Sequence, residues 1–304
     1  VGQIQHHITE LYRILPERFR DRVNLQESTE IRMRVRQPLI VETNTKEYVY
    51  TDCIIQKEDI QECLQYASEY SIYAFQENIR QGFLTIQGGH RIGVCGQVII
   101  QNQKIQLQQN ISFLNIRVAH EIIGCADEVM SFLYEGGLAH TLILSPPGCG
   151  KTTILRDIIV HLSNGWGGHA GKRVAVVDER SEIAACHQGV PQNQMGIRTD
   201  VIDNCPKAEG IRLLVRAMNP EIIAVDEIGT AQDAEAIVYS IRTGCVMIGT
   251  VHAESVAQAQ ENPMLHHLIS PSLFSKCIVL DDTKEKGHVQ YCVDLKHKNR
   301  TENI

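Results

Sequence analysis

LILSPPGCGKTTILRD, residues 142–157, decides how the rest of the chain is read. It passes from an apolar strand pattern through a turn of two prolines and two glycines. It then enters Lys151-Thr152-Thr153, which opens a helical pattern with Ile154, Leu155, Ile158, Ile159 and Leu162 on one face. A strand, a glycine-rich loop and a helix in that order aim backbone N–H groups and the helix dipole at one point, which makes an anion site. The phosphate-loop signature G-x-x-x-x-G-K-[ST] fits from Gly150 onward but has Ser145 where its first glycine stands. A small residue meets the requirement at that strand end, and a plain Gly-Pro turn leaves the Lys-Thr-Thr opening unexplained. Pro147, Gly148, Cys149, Gly150, Lys151, Thr152 and Thr153 are therefore expected to wrap the phosphates of ATP. Lys151 would reach the β- and γ-phosphates, and the Thr152 hydroxyl would hold Mg2+.

A phosphate loop needs carboxylates downstream. EIIAVDE sets Asp226 and Glu227 after an apolar run, the Walker B arrangement, with Asp226 on the magnesium hydration shell and Glu227 on the attacking water. RVAVVDERSE sets Asp178, Glu179 and Glu182 at the end of another such run. A third run, CVMIGTVHAES, ends in Thr250 and His252; a histidine there suits a capping or surface role as well as a phosphate sensor.

Around the loop, TLILS, RVAVVD, EIIAVD and CVMIGTVH read as strands buried on both faces and separated by helical stretches, hence a parallel sheet flanked by helices. Residues 1–120 read differently. HITELYRIL is helical up to Pro16, and EIRMRVRQPLIVE alternates Ile31, Met33 and Val35 with Arg32, Arg34 and Arg36 as one half-buried strand with a basic outer face. A turn at TNTK returns the chain through EYVYTD. KEDIQECLQYASEY and SIYAFQENIRQG read as helices, and FLTIQ, IGVCGQVII and ISFLNIRVA as further strands. The helix CADEVMSFLYEGG follows, and the polar tail after Leu295 reads as a frayed end. The expected architecture is α/β, a parallel-sheet core carrying the phosphate loop at 121–304 preceded by a smaller α+β domain at 1–120.

Composition narrows the function classes. Hydrophobic residues make up 43% and charged residues 21%, ordinary values for a soluble globular protein, and no apolar run approaches the length of a membrane span. The ten cysteines form no C-x-x-C pair and several sit inside apolar runs, the pattern of reduced, buried thiols rather than of a disulfide framework or zinc site. Residues 1–120 carry 13 basic and 13 acidic side chains, whereas 121–304 carry 16 and 23, so the net charge of −7 belongs to the second part. An acidic core with few aromatics argues against nucleic acid as partner.

In order and spacing, PPGCGKTT, VVDERSE, RAMNPEIIAVDEI and GTVHAES resemble the Walker A, Asp box, Walker B and His box of the type II and type IV secretion and pilus ATPases. EIRMRVRQPL and GHRIGVCGQVII look like the N-terminal domain of that superfamily. DERSEIAACHQGVPQNQMGIRTDVIDNCPKAEG resembles, more narrowly, the stage III sporulation AA family of secretion-type ATPases in endospore formers. The similarity spans about Glu30 to about Leu280. There are two departures: Asp226-Glu227 stands where the secretion enzymes carry Gly-Glu, and Asp178-Glu179 reverses their usual Glu-Asp, leaving both as candidates for polarising water.

The resemblance implies that His252 senses the γ-phosphate and that Arg91 and Arg117 act on nucleotide from the N-terminal domain; Arg198 and Arg216 are further candidates. It also implies an α/β fold with a RecA-like P-loop ATPase core at 121–304, and a hexameric ring of cytoplasmic subunits, docked in the mother cell on membrane components of a sporulation channel and driven by Mg-ATP hydrolysis. The rival expectations are a nucleic-acid-stimulated RecA-like translocase and a nucleotide-binding scaffold without turnover.

Overall fold

The computed structural model describes residues 11–68, 82–101, 104–263, 265–270, 273–281, 287–296 and 299–302. The expected helix SIYAFQENIRQG, apart from its last residue Gly82, and the first residues of HITELYRIL lie outside them. The chain forms two compact units: residues 1–121 with 185–192, and residues 122–184 with 193–304.

The first unit is built on a six-stranded antiparallel sheet. Its strands are β1 (Ser28–Arg34), β2 (Pro38–Thr43), β3 (Glu47–Ile54), β4 (Phe83–Thr85), β5 (Arg91–Gln101) and β6 (Lys104–Arg117), in the order β3-β2-β1-β6-β5-β4. Helical residues 11–14, α1 (Glu17–Arg20) and α2 (Lys57–Ala67) contribute to the core below it. Ile31, Met33, Leu39, Val41, Ile92, Leu114 and Ile116 from the sheet pack with Leu11, Leu15, Phe19, Ile60 and Cys63. The stretch expected as one strand at EIRMRVRQPLIVE is two. The chain reverses at Arg36, which adopts φ 66, so that β1 and β2 pair antiparallel with Ile31 opposite Val41. The alternation continues across this reversal, and no glycine or asparagine marks it. Arg32 on the outer face is tied to Glu30 and Glu42 at 2.8 Å each.

Residues 185–192 belong to this first unit although they lie far along the chain. His187 and Val190 form a β-bridge, His187 Nδ1 lies 3.2 Å from the Thr85 carbonyl, and the Gly88 N–H donates to Gln192 Oε1 at 2.9 Å.

The second unit carries an eight-stranded sheet in the order β11-β10-β12-β13-β7-β14-β15-β16. Its strands are β7 (Thr141–Ser145), β10 (Val174–Asp178), β11 (Thr199–Asp203), β12 (Ile222–Val225), β13 (Val246–His252), β14 (Lys276–Leu280), β15 (Val289–Asp294) and β16 (Asn299–Glu302). The small pair β8 (Gly165–Trp166) and β9 (His169–Ala170) stands apart. Strands β11 to β14 of the sheet order run parallel, and β15 and β16 extend the edge antiparallel. The tail expected to fray thus supplies an edge strand at Asn299–Glu302.

Every residue of β7, β10, β12 and β14 is buried, which is why these strands read as continuous apolar runs. Helices α3 (Asp127–Tyr134) and α4 (Lys151–Asn164) are joined where Asp157 of α4 accepts the Ala126 N–H at 2.8 Å. Helix α4 lies against β7, β10 and β13. Its five buried aliphatic residues each contribute roughly 1.5–3 kcal/mol of transfer free energy. Helices α5 (Lys207–Ala217), α6 (Ala231–Arg242) and α7 (Val256–Glu261) share a second core with Leu142, Val177, Val225, Met247 and Val279. Among the described residues no helix is long and apolar enough to cross a membrane. Of the ten cysteines six are buried and Cys95 is exposed.

Candidate nucleotide site

The carboxyl ends of parallel strands are where such sheets place ligands, and the second unit concentrates its polar side chains there. Register explains the grouping. Ser145 pairs with His252 across β7 and β13, Val225 with Gly249 across β12 and β13, and Val177 with Val225 across β10 and β12. The residues that end these strands therefore come out level along one rim.

In the loop between β7 and α4, Gly148 takes φ 83 and Gly150 takes φ 96, a left-handed backbone that side chains resist. A Cβ on Gly148 would meet nothing within 4 Å, so the loop borders open space on that side. Gly150 is the N-cap of α4 and no side chain caps the helix, leaving its first N–H groups to an outside acceptor. Ser145 is fully buried, its hydroxyl donating to the Pro146 carbonyl at 2.8 Å and accepting from Lys151 Nζ at 3.2 Å. A serine thus serves at this strand end by binding the loop to itself.

Lys151 Nζ donates to the carbonyls of Ser145 at 2.9 Å and Pro146 at 2.8 Å, and to His252 Nδ1 at 3.0 Å. Burial lowers its pKa from the usual lysine value, opposed by the charges of Asp226, Cys149 and Glu227. With Nδ1 accepting from the ammonium, the His252 proton sits on Nε2, which lies 3.4 Å from Glu227 Oε1.

Thr152 Oγ1 donates to Asp226 Oδ2 at 2.6 Å, which brings the two oxygens expected to hold a magnesium ion side by side. Hydroxyl and carboxylate oxygens at the mouth of a phosphate loop are the hard donors that Mg2+ takes, so the residues present fit the ion. Thr250 Oγ1 donates to Asp226 Oδ1 and accepts the Glu227 N–H at 2.8 Å. Glu227 itself is held at φ 52, a strained backbone for a residue with a side chain. Its Oε2 accepts from Arg180 Nη1 at 2.5 Å.

Asp178 has a different environment. Its carboxylate is 2% exposed and accepts the N–H groups of Glu182, Ile183 and Ala184 at 2.9, 3.0 and 2.8 Å. Burial raises its pKa while those three bonds pull it down. Glu179 pairs with Lys207 at the head of α5. Asp178, Glu179, Arg180, Glu182, Lys207, Asp226 and Glu227 line one small cleft.

The structure therefore brings together Lys151, Thr152, Asp226, Glu227 and His252. Pro147 and Cys149 belong to the same loop, and Thr153 follows Thr152 in the first turn of α4. Arg91 and Arg117 lie in the first unit, opposite each other across β5 and β6. The Arg91 guanidinium stacks 3.5 Å from the Phe83 ring centroid, and Arg117 Nε lies 3.3 Å from Glu30 Oε1. Arg198 donates to the Ser163 carbonyl at 2.9 Å, and Arg216 to that of Arg212 at 3.1 Å. Sequence reasoning missed Arg180, although it follows Asp178-Glu179 directly in the chain.

Residues 3–299 match the family described as "Sporulation stage III, protein AA". The chain is 35% identical over 293 residues to "Stage III sporulation protein AA" of Bacillus subtilis (strain 168), covering 94% of this chain and 95% of that one. It is 29% identical over 124 residues to "Putative type II secretion system protein E" of Escherichia coli (strain K12), or 40% of this chain and 23% of that protein. Among solved structures, the Legionella pneumophila ATPase DotB superposes with a TM-score of 0.57 at 16% identity, covering 84% of this chain and 72% of that one. The pilus retraction motor PilT with bound ADP gives 0.58 at 14% identity, covering 83% and 74%. The fold is that of the RecA-like secretion ATPases.

Proposed function

Because the chain belongs to the sporulation stage III, protein AA family, we propose that it hydrolyses Mg-ATP to drive a secretion or channel apparatus during endospore formation. One contact carries this: the phosphate-loop hydroxyl of Thr152 meets the strand-end carboxylate of Asp226 at 2.6 Å, with Glu227 next in the chain.

ATP is the substrate. The loop N–H groups and Lys151 hold its phosphates, Lys151 exchanging the carbonyls of Ser145 and Pro146 for phosphate oxygens. Thr152 and Asp226 hold Mg2+, which when bound offsets charge on the phosphates. Glu227 orients water and takes its proton as the water oxygen bonds to the terminal phosphorus and the bond from that phosphorus to the ADP oxygen breaks. His252 stands between Lys151 and Glu227 and reports whether the ammonium has moved to phosphate. Asp178 shapes the loop that carries Glu179, and Arg91 and Arg117 are assigned to nucleotide charge from the N-terminal unit. The working form is a hexameric ring in the mother-cell cytoplasm, docked on membrane components, in keeping with the family and with the secretion ATPase fold.

Phosphate release by wild type and Glu227→Gln tests the chemistry. The variant is expected to lose at least about 100-fold in turnover, the usual worth of a general base, while still binding nucleotide; equal rates would sink the assignment. Native mass measurement with and without a non-hydrolysable ATP analogue tests the ring.

A further inference from the structure

We propose that Arg180 gates Glu227, pairing with its carboxylate while no terminal phosphate is present and exchanging onto that phosphate when Mg-ATP binds. This rests on the hydrolytic function above and adds to it a residue that reads one phosphate group.

The starting point is that the glutamate is occupied. Arg180 Nη1 lies 2.5 Å from Glu227 Oε2, and His252 Nε2 lies 3.4 Å from Oε1. A carboxylate hydrogen-bonded by a guanidinium on one oxygen, with an imidazole nitrogen near the other, is poorly placed to take a proton from water, so this arrangement is an idle one. Its geometry is held from the backbone side. Glu227 is fixed at φ 52 by the bonds of its N–H to Thr250 and Asp226. In the turn after β10, Ser181 sits at φ 53 with its hydroxyl 2.5 Å from Asp203, and Asp178 ties down the N–H groups of residues 182–184. Arg180 is thus a long side chain, 60% exposed, on an anchored loop. Its head can swing while its base stays in place.

Charge supplies the reason to swing. The cleft is lined by five carboxylates, Asp178, Glu179, Glu182, Asp226 and Glu227, and by two cations, Arg180 and Lys207. Lys207 is paired with Glu179 and its side chain is only 11% exposed. Arg180 is therefore the lining cation that can move, and its partner is the carboxylate that hydrolysis must release. An exposed Arg–carboxylate pair is weakly held. A guanidinium on phosphate makes paired charge-assisted bonds in a fork that matches phosphate oxygens. One exchange then does two things: it adds a ligand to the terminal phosphate, and it frees Glu227 only when that phosphate is there. ADP, which lacks it, leaves the pair closed.

The test is equilibrium binding of Mg-ADP and of a non-hydrolysable Mg-ATP analogue to the full chain, in wild type, R180Q, R180K, E227Q and the R180Q/E227Q double variant, with melting temperatures as the control for folding. R180Q is expected to bind ADP within about twofold of wild type and the analogue about tenfold or more weakly, the worth of a hydrogen bond between charged groups. R180K should recover part of the loss. E227Q should bind the analogue more tightly than wild type, because Arg180 no longer has to leave a carboxylate, and the double variant should lose that gain. In turnover, R180Q should raise KM for ATP as well as lower kcat. R180Q binding both nucleotides as wild type does, or weakening both equally, overturns the gate while leaving the ATPase in place. A wild type that binds neither nucleotide overturns the hydrolytic function and the gate with it.

Discussion

Two neighbouring strands of the core run out through the same three residues: Val177-Asp178-Glu179 at the end of β10 and Val225-Asp226-Glu227 at the end of β12. The valines are partners in the sheet, so the two aspartates stand level on its rim. Their surroundings differ. Asp226 takes hydroxyl hydrogens from Thr152 and Thr250, one from the phosphate loop and one from β13. Asp178 is closed over by its own chain, which turns at Ser181 and returns three N–H groups to it. After Glu227 the chain instead leaves the rim, through Gly229 to Thr230, which caps α6 in a reciprocal box with Asp233. Identical triplets become a hydroxyl-bridged carboxylate, the one proposed to face the metal, in one place and a loop-forming carboxylate in the other, according to what folds back onto them.

The largest way to break this contrast is to neutralise each aspartate. Asp226→Asn should lower turnover at least about 100-fold, as loss of metal-assisted charge stabilisation does, while leaving the melting temperature within a few degrees of wild type. Asp178→Ala should do the reverse. It leaves the N–H groups of residues 182–184 without their acceptor, two of them buried, and should cost on the order of 3 kcal/mol of unfolding free energy, read as a lowered urea midpoint, with a much smaller loss of turnover per folded molecule than in Asp226→Asn.

A pH series sharpens the point. Burial raises the Asp178 pKa above the ordinary carboxylate value, so its ionisation is disfavoured in the folded state. Its contribution to stability therefore grows as pH falls from the folded value towards the ordinary one, and shrinks as pH rises through that window. In Asp178→Asn that slope should vanish from plots of urea midpoint against pH.

Smaller is the effect expected at Thr250, whose hydroxyl bridges Asp226 and the Glu227 N–H. Thr250→Val keeps the shape of the side chain and removes the bridge. Turnover should fall about tenfold, the worth of one hydrogen bond to a charged group, with nucleotide affinity little changed. Affinity and turnover falling together would mean that Thr250 acts through the metal site rather than through Glu227.

The legible parts of this molecule are those where one local cause determines structure. Strands β7, β10, β12 and β13 declare themselves because burial on both faces demands unbroken apolar runs, and the tight loop between β7 and α4 because φ 83 and φ 96 demand Gly148 and Gly150. Strand β11, TDVID, was missed: it lies at the sheet edge, half-buried throughout, with two aspartates in five residues. The reversal at Arg36 was missed because a left-handed arginine carries no sequence mark. Nor does anything local reveal that residues 185–192 join the first unit, since their partners Thr85 and Gly88 lie about a hundred residues earlier. The pair between Arg180 and Glu227 is hidden in the same way, 47 positions apart and made by the adjacency of two strand ends.

Glu179 tests the contrast at its weakest point, because the family resemblance leaves it a candidate for polarising water. Here it is 39% exposed and paired with Lys207, and its neighbour Asp178 is turned inward. If the β10 triplet only shapes the rim, Glu179→Gln should cost no more than about 1 kcal/mol, the usual limit for such a pair, and should leave turnover within about twofold. If turnover instead collapses while the urea midpoint holds, the glutamate of β10 acts on water alongside or in place of that of β12. The two triplets would then share the chemistry, and their different surroundings would set which of them is poised for it in each nucleotide state.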